Sequence, residues 1–331
     1  MKRNFDEIIT GAHPPGREGR AASPLAAAAR MDSAPYQRRQ IALITAAALV
    51  LYVIVRLLPT GTNLNHMDFR VTGKGALEFC DPANPQFIPV VAARSPVVLT
   101  LQPDHEPAVG QPVDFVLTMR TASGKAIAPE DLLVAHTRKL HLLVTDPTLS
   151  DYQHIHPEPG RRPGEWKFTM APGRPGLYRV FADFTPAATA RGLYASVDFT
   201  VPGTVATVIQ GPNTIWQEAG FRFELVVPPL FRTGQPADLR FQIESQGTVK
   251  KPVPLQPVMG AFAHLVAFDE ARSGFAHLHP AETDLAKAPD ALHPVLNFKV
   301  TIPSPGRYVI WAQVKIDGRE IFVPFWVDVL A

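Results

Sequence analysis

The sequence predicts an all-β fold, two tandem immunoglobulin-like β-sandwich domains after a single N-terminal transmembrane helix, and three observations carry that expectation. One long apolar run, IALITAAALVLYVIVRLL, occupies residues 41–58. Beyond it, short Val-, Phe- and Thr-containing runs alternate with turns in a chain that holds 34 prolines and 22 glycines, and no convincing amphipathic helix interrupts them. The same strand order is then written twice, over residues 96–202 and 220–331.

Residues 1–40 combine Lys and Arg with an Ala-rich stretch broken by Ser23, Pro24 and Leu25. This composition offers too little apolar surface to offset the entropy of ordering, so it reads as a disordered cytoplasmic tail. As a helix rising about 1.5 Å per residue, the run at 41–58 spans roughly 27 Å, near the thickness of a bilayer core. A buried core helix would need a helical partner that the β-rich remainder does not offer. A cleavable signal peptide fits poorly, because forty residues precede the run and no small-x-small site follows it. Arg30, Arg38 and Arg39 precede the run while Arg56 stands near its end and Arg70 and Lys74 follow it, so the charge bias is slight. The long C-terminal part can translocate regardless of charge. The expected placement is a single-pass anchor in the inner (cytoplasmic) membrane, with the folded part outside, in the periplasm.

Residues 59–95 read as a spacer. It holds Cys80, the only cysteine, which excludes an intrachain disulfide. Cys80 beside Asp81, or His66 beside Met67, offers donors for a soft ion such as Cu(I); a buried structural thiol is the plainer reading.

The repeat covers the rest. Gly-Gln-Pro-x-Asp opens a strand at 110–119 and again at 234–243. Phe168, Pro175, Gly176 and Tyr178 match Phe298, Pro305, Gly306 and Tyr308 in the closing strand pair, and residues 203–219 read as the linker. Between these lies the stretch HLLVTDPTLSDYQHIHP at 141–157, repeated as HLVAFDEARSGFAHLHP at 264–280, and these two copies hold six of the 11 histidines. Each copy has the pattern of a β-hairpin: an apolar run, a polar turn, then a short run ending in His-x-His-Pro. With the turn over 146–151, His141 falls opposite His156, and the period of two puts His154 on the same face. Three imidazoles then share one patch, within the span that a single ion with metal–nitrogen bonds of about 2 Å can bridge. The predicted metal ligands are therefore His141, His154 and His156 in the first unit and His264, His277 and His279 in the second. His136 and Met259, each five residues before the first histidine, are secondary ligands that can join only if the chain bends after them.

Packing seldom calls for three imidazoles on one face, since each neutral ring brings a donor and an acceptor to satisfy. Against that stands the plain alternative of structural histidines at strand ends. Imidazole-rich sites without thiolate suit Cu(II), Ni(II) or Zn(II), and copper has the highest intrinsic affinity. Copper is the first choice, with zinc or nickel behind it. Because the ligands must be neutral, binding is expected to weaken below the ordinary histidine pKa of about 6.5.

The order of a Gly-x-Pro strand, a hairpin ending in His-x-His-Pro and a Pro-Gly-x-Tyr strand resembles the YtkA-like and related His-rich secreted β-sandwich proteins of bacteria. The resemblance covers both units, and neither tail nor anchor. It implies an immunoglobulin-like fold and an extracytoplasmic role near copper-handling and heavy-metal-transport systems, with a metal transporter or membrane complex as partner. This chain departs from a single-domain member in being duplicated.

Charged residues make up 19% of the chain at a formal net charge of +2, so no basic stripe argues for nucleic acid. No Gly-x-Ser-x-Gly elbow, phosphate loop or His-Glu-x-x-His helix is present, so an enzyme is not expected, although a metal-dependent oxidase or hydrolase would use the same ligands. Asp146 and Asp269 read as turn formers. The rival from another class is a metal-free scaffold or adhesion protein that uses paired sandwiches.

Overall fold

The computed structural model describes residues 33–57, 64–69, 85–206 and 210–331. Two compact units divide the chain near Thr60. The first contains the helix Ser33–Leu57, with Pro35 in its first turn, where a missing N–H costs nothing. Its stretch Pro35–Val55 is long and apolar enough to cross a membrane and is wholly exposed, so it is a candidate membrane span or signal sequence. Cys80 lies outside the described residues.

The second unit is almost entirely β. In the first repeat, β1 (Val97–Pro103), β2 (Val113–Thr121), β6 (Glu158–Pro159) and β7 (Glu165–Met170) form one sheet. The other sheet contains β3 (Leu132–Leu133), β4 (Leu140–Thr145), β5 (Tyr152–Ile155), β8 (Gly176–Pro186) and β9 (Leu193–Val201). The second repeat reproduces this pair. Its outer sheet runs β10 (Ile215–Glu218), β11 (Phe221–Val226), β12 (Pro236–Ser245) and β16 (Val295–Thr301). Its inner sheet holds β13 (Leu255–Gln256), β14 (Ala263–Asp269), β15 (Phe275–Leu278), β17 (Gly306–Ile316) and β18 (Arg319–Val329). Strand β10 forms inside the stretch read as the linker.

Alternation along the outer strands builds the two sandwich cores. In β2, Val113, Phe115, Leu117 and Met119 point inward, and in β12 Leu239, Phe241 and Ile243 do the same. The inner sheets differ, because β4 is buried at every position and β14 at all but Asp269. Leu142 and Val144 enter the first core, whereas Leu143 faces the other way. That second face is covered by the other repeat. Leu143, Leu149, Tyr152 and Phe181 pack with Val266, Phe268, Phe275 and Trp311 in a third apolar cluster shared by both repeats. At about 1.5–3 kcal/mol for each large side chain withdrawn from water, this junction has the energetics of a core.

The loop tips lock the junction reciprocally. Leu149 and Arg272, at matching places in the two hairpins, both adopt positive φ, 59° and 51°. The Leu149 carbonyl accepts from Trp311 Nε1 at 3.2 Å. Arg272 donates to the Leu177 carbonyl at 2.6 Å, and Arg179 donates to the Arg272 carbonyl at 2.8 Å.

Residues 85–91 add a clasp. Ile88 exchanges two backbone hydrogen bonds with Phe275, at 2.7 and 3.1 Å, and Phe87 enters the core of the second repeat. This covers the free edge of β15. Gly274 permits it: a Cβ there would lie 1.7 Å from the Ile88 carbonyl oxygen.

Candidate metal centre

The hairpin register brings each triad together. Leu142 pairs with Ile155 and Leu143 with His154, which sets His141 opposite His156; Leu265–Leu278 and Val266–His277 do the same for His264 and His279. In each triad the candidate ligand atoms lie within 4.8 Å of one another, and these two groups are the ones among the described residues with a geometry that could hold a metal ion.

The turn ahead of each triad explains the placement of its first histidine. Ala135 and Arg138 exchange backbone hydrogen bonds at 2.8 and 3.0 Å, as do Val258 and Ala261 at 2.7 and 3.1 Å. The two residues inside each turn have positive φ: His136 49° and Thr137 70°, Met259 51° and Gly260 78°. These are two-residue hairpins with the twist of a type I′ turn. Only Gly260 adopts such a conformation freely; a β-branched Thr137 there is a strained choice. Each turn aims a carbonyl at a ring. His141 Nε2–H donates to the Ala135 carbonyl and His264 Nε2–H to the Val258 carbonyl, both at 3.0 Å. A carbonyl can only accept, so the proton is held on Nε2 and the Nδ1 lone pair faces the triad.

The middle histidines are fixed from the opposite repeat. His154 Nδ1–H donates to Gln313 Oε1 at 2.9 Å, and the Gln313 amide nitrogen donates to Glu320 at 2.8 Å, which sets the amide's orientation. His277 Nδ1–H donates to the Asp183 carboxylate at 3.2 Å. Both leave Nε2 bare. In the first triad, His141 Nδ1 therefore lies 3.2 Å from His154 Nε2 with no proton between them, and His156 Nε2 stands 3.2 Å from the same atom. In the second, the equivalent atoms His264 Nδ1, His277 Nε2 and His279 Nε2 are buried without a hydrogen-bond partner. Two ligands of a tetrahedral ion with bonds of about 2.0–2.1 Å stand about 3.3–3.4 Å apart, close to the spacing seen here. The facing lone pairs of His141 and His154 repel each other unless a cation or a proton lies between them, whereas His156 Nε2–H is free to donate to His141 Nδ1. The remaining ring nitrogens of His141, His264, His154 and His277 meet two carbonyls, an amide and a carboxylate, the kinds of partner that orient metal-bound histidines.

Burial keeps the rings neutral. Desolvation lowers the pKa of all six, to about 4 for His156 and about 4 for His264, and neighbouring imidazolium charges push most of them in the same direction. The Asp183 charge opposes the shift at His141. Sequence alone placed the protonation of these rings at about 6.5; burial moves it to lower pH.

The two triads do not stand apart, one per domain. They meet across the junction, with His154 and His277 ring centres 5.3 Å apart and those of His154 and His264 6.1 Å apart. His136 leaves its own triad's side and stacks on His279 of the other repeat, at 3.7 Å and 17°. Met259 is half-buried in the matching turn, whose Gly260 lies against Thr137. A cleft of about 820 Å³ reaches the centre past His136, Asp183, Tyr194, His277 and His279. A second, of about 790 Å³, is lined by Ile155 and His156. Asp146 caps its own turn, accepting from Ser150 N and Asp151 N at 2.8 Å each, and Asp269 accepts from Ser273 N at 2.7 Å.

Asp183 and Gln313 escaped the sequence reading. Their signal was a polar residue in a strand otherwise apolar on both faces, VFADF in one repeat and IWAQV in the other.

Fold and site together define a paired β-sandwich protein with a histidine centre between its sandwiches. A family described as a domain of unknown function, DUF8832, matches residues 94–203 and again 217–331, and the chain belongs to that family, carrying its domain twice. No curated protein matches the chain. Among solved structures it is similar to trypsin-activated α2-macroglobulin from Escherichia coli, with 12% identity over 71% of this chain and 18% of that one, at a TM-score of 0.22. An α2-macroglobulin mutant from Salmonella gives 11% identity over 71% and 16%, at 0.21. The native E. coli protein gives 14% identity over 70% and 17%, also at 0.21. The chain spans less than a fifth of the length of each.

Proposed function

We propose that this protein is a membrane-anchored, extracytoplasmic metal-binding protein that handles copper, buffering or delivering it through two His₃ sites. The observation that supports this reading is the convergence of three ring nitrogens in each repeat, built twice from the same atoms: one Nδ1 and two Nε2. Copper is preferred because the donors are imidazoles without thiolate, and Cu(II) heads the affinity order for such sites; zinc and nickel follow. The helix Ser33–Leu57 serves as the anchor, and the folded repeats lie on the periplasmic side of the inner membrane. The likeness to YtkA-like proteins supports the same direction and supplies the partner class, a metal transporter or a membrane complex.

No nucleophile with an adjacent base enters this reading, so the role is binding. The test is metal analysis and Cu(II) titration of the full-length protein in detergent beside a His154→Ala, His277→Ala double variant. The parent should take up two ions and the variant should lose both sites. A parent with no copper, zinc or nickel above background, or a variant that binds equally well, returns the histidines to a structural role and favours the scaffold.

A further inference from the structure

We infer that the two triads form one linked and unequal pair: each takes the group that orients its middle histidine from the opposite repeat, and Asp183 makes the His264–His277–His279 site fill first. The inference rests on the metal-binding reading above.

Asp183 and Gln313 occupy the same place in their repeats, each five residues after the matching tyrosine, Tyr178 or Tyr308. Each is also the cross-strand partner of the first histidine of its own triad, Asp183 opposite His141 and Gln313 opposite His264. Yet neither side chain serves the middle histidine of its own repeat. Asp183 accepts from His277 and Gln313 accepts from His154, so the contacts cross the junction in both directions. The residue that backs one site is thereby tied through the β-ladder to a ligand of the other.

The exchange is symmetric in geometry and asymmetric in chemistry. When a cation draws electron density from His277, the proton on Nδ1 becomes more acidic and its bond to a carboxylate strengthens. The formal charge of Asp183 also offsets that of the ion. Gln313 gives His154 a neutral acceptor, already committed to Glu320. Groups behind a metal-bound histidine are worth about 10–100-fold in affinity, and the carboxylate is the stronger of the two here. His136 adds to the difference, since its stacking on His279 places a further ring from the first repeat beside the second triad. Asp183 and Gln313 are positioning residues, and through them a change at one site is felt at the other, as linkage requires.

The experiment uses the full-length protein, stripped of metal and held in detergent, with Cu(II) added stepwise and followed by competition with a chelator and by EPR. Two classes of site should appear, separated by about 10–100-fold. The first equivalent should carry the EPR signature of His156→Ala, which keeps only the second triad intact, and not that of His279→Ala. Asp183→Asn retains an oxygen acceptor and removes the charge, so the tighter class should weaken until the first equivalent spreads over both sites. Gln313→Glu combined with Glu320→Gln moves a carboxylate behind His154 and should tighten that site by a similar factor, a gain that a purely structural role for this position would not produce. If Asp183→Asn does not fold, the charge-moving variant decides the matter alone. Two equal classes in the parent, filling from the His141 triad, or an unchanged order in Asp183→Asn would each overturn the inference while leaving the metal-binding reading intact. Absence of copper uptake by the parent would remove both.

Discussion

The two hairpins share a seventeen-residue pattern, one register and one set of converging ring nitrogens, yet they sit in different surroundings. In the first, position 151 is an aspartate whose carboxylate accepts from Tyr178 and from Gly173 N, pinning the neighbouring loop. In the second, the matching position is Gly274, emptied of side chain so that residues 85–91 can lie against β15. There the tyrosine turns elsewhere, Tyr308 donating to the Ser304 carbonyl at 2.9 Å. The acceptors behind the rings differ too, a glutamine for one triad and a carboxylate for the other. What stays constant between the copies is the convergence of three nitrogens; what varies is how each hairpin is held.

The largest break in this comparison should come from Gly274→Ala. A methyl group 1.7 Å from the Ile88 oxygen and 2.7 Å from its carbonyl carbon has no flexible neighbour to displace, so the clasp must open. Lost pairing and withdrawal of Phe87 from the second core should cost about 3 kcal/mol or more, read as a lower urea midpoint. Limited proteolysis should then cut between residues 85 and 91. A variant as stable and as resistant as the parent would mean that the clasp contributes little.

An intermediate effect is expected from acid. The histidines are held neutral by burial with folded pKa values below the unfolded value of about 6.5, so on acidification the unfolded chain takes up protons first. Stability of the metal-free protein is full above about 6.5 and falls as pH drops toward about 4, the value to which His156 and His264 are lowered. Bound copper should shift this loss to lower pH, because it must be displaced before the rings can protonate. Thermal melts from pH 7.5 to 4.5 with and without Cu(II) test the sign; a metal-free protein equally stable at both ends would contradict it.

The smallest effect sharpens the comparison. Tyr152 is buried with its hydroxyl unpartnered, and the second hairpin has Phe275 in its place. Tyr152→Phe removes an unsatisfied polar group and should leave stability unchanged or raise it by up to about 1 kcal/mol. A clear loss in the melting temperature would reveal a partner for that hydroxyl.

Much of this was legible before the fold was known. The spacing His-x₁₂-His-x-His set the register and the shared face, and the match of 96–202 with 220–331 gave the duplication. What could not be read was which surface that face meets. Period-two alternation tells the two sides of a strand apart, but the covering of each side is decided by contacts far away in sequence. The hint was there in HLLVT and HLVAFD, apolar without alternation, as strands buried on both faces are. The stacking of His136 on His279 lay further out of reach, since it depends on a turn whose second residue, the β-branched Thr137, has a positive φ that such residues rarely adopt.

The clasp also fixes an order of events in time. Phe87 and Ile88 bind β15 and the core around it, which lie about 190 residues later in the chain. At a synthesis rate of about 5–20 residues per second, that segment waits roughly 10–40 s for its binding surface to emerge. During that interval the first sandwich can close, but Leu143, Tyr152 and Phe181 remain open to solvent together with the clasp. The histidines of the first triad are complete in sequence by then, yet His154 lacks its acceptor on β17. Orientation of both sites is therefore among the last things the chain acquires, and a half-made protein presents three loosely held imidazoles beside an uncovered apolar face.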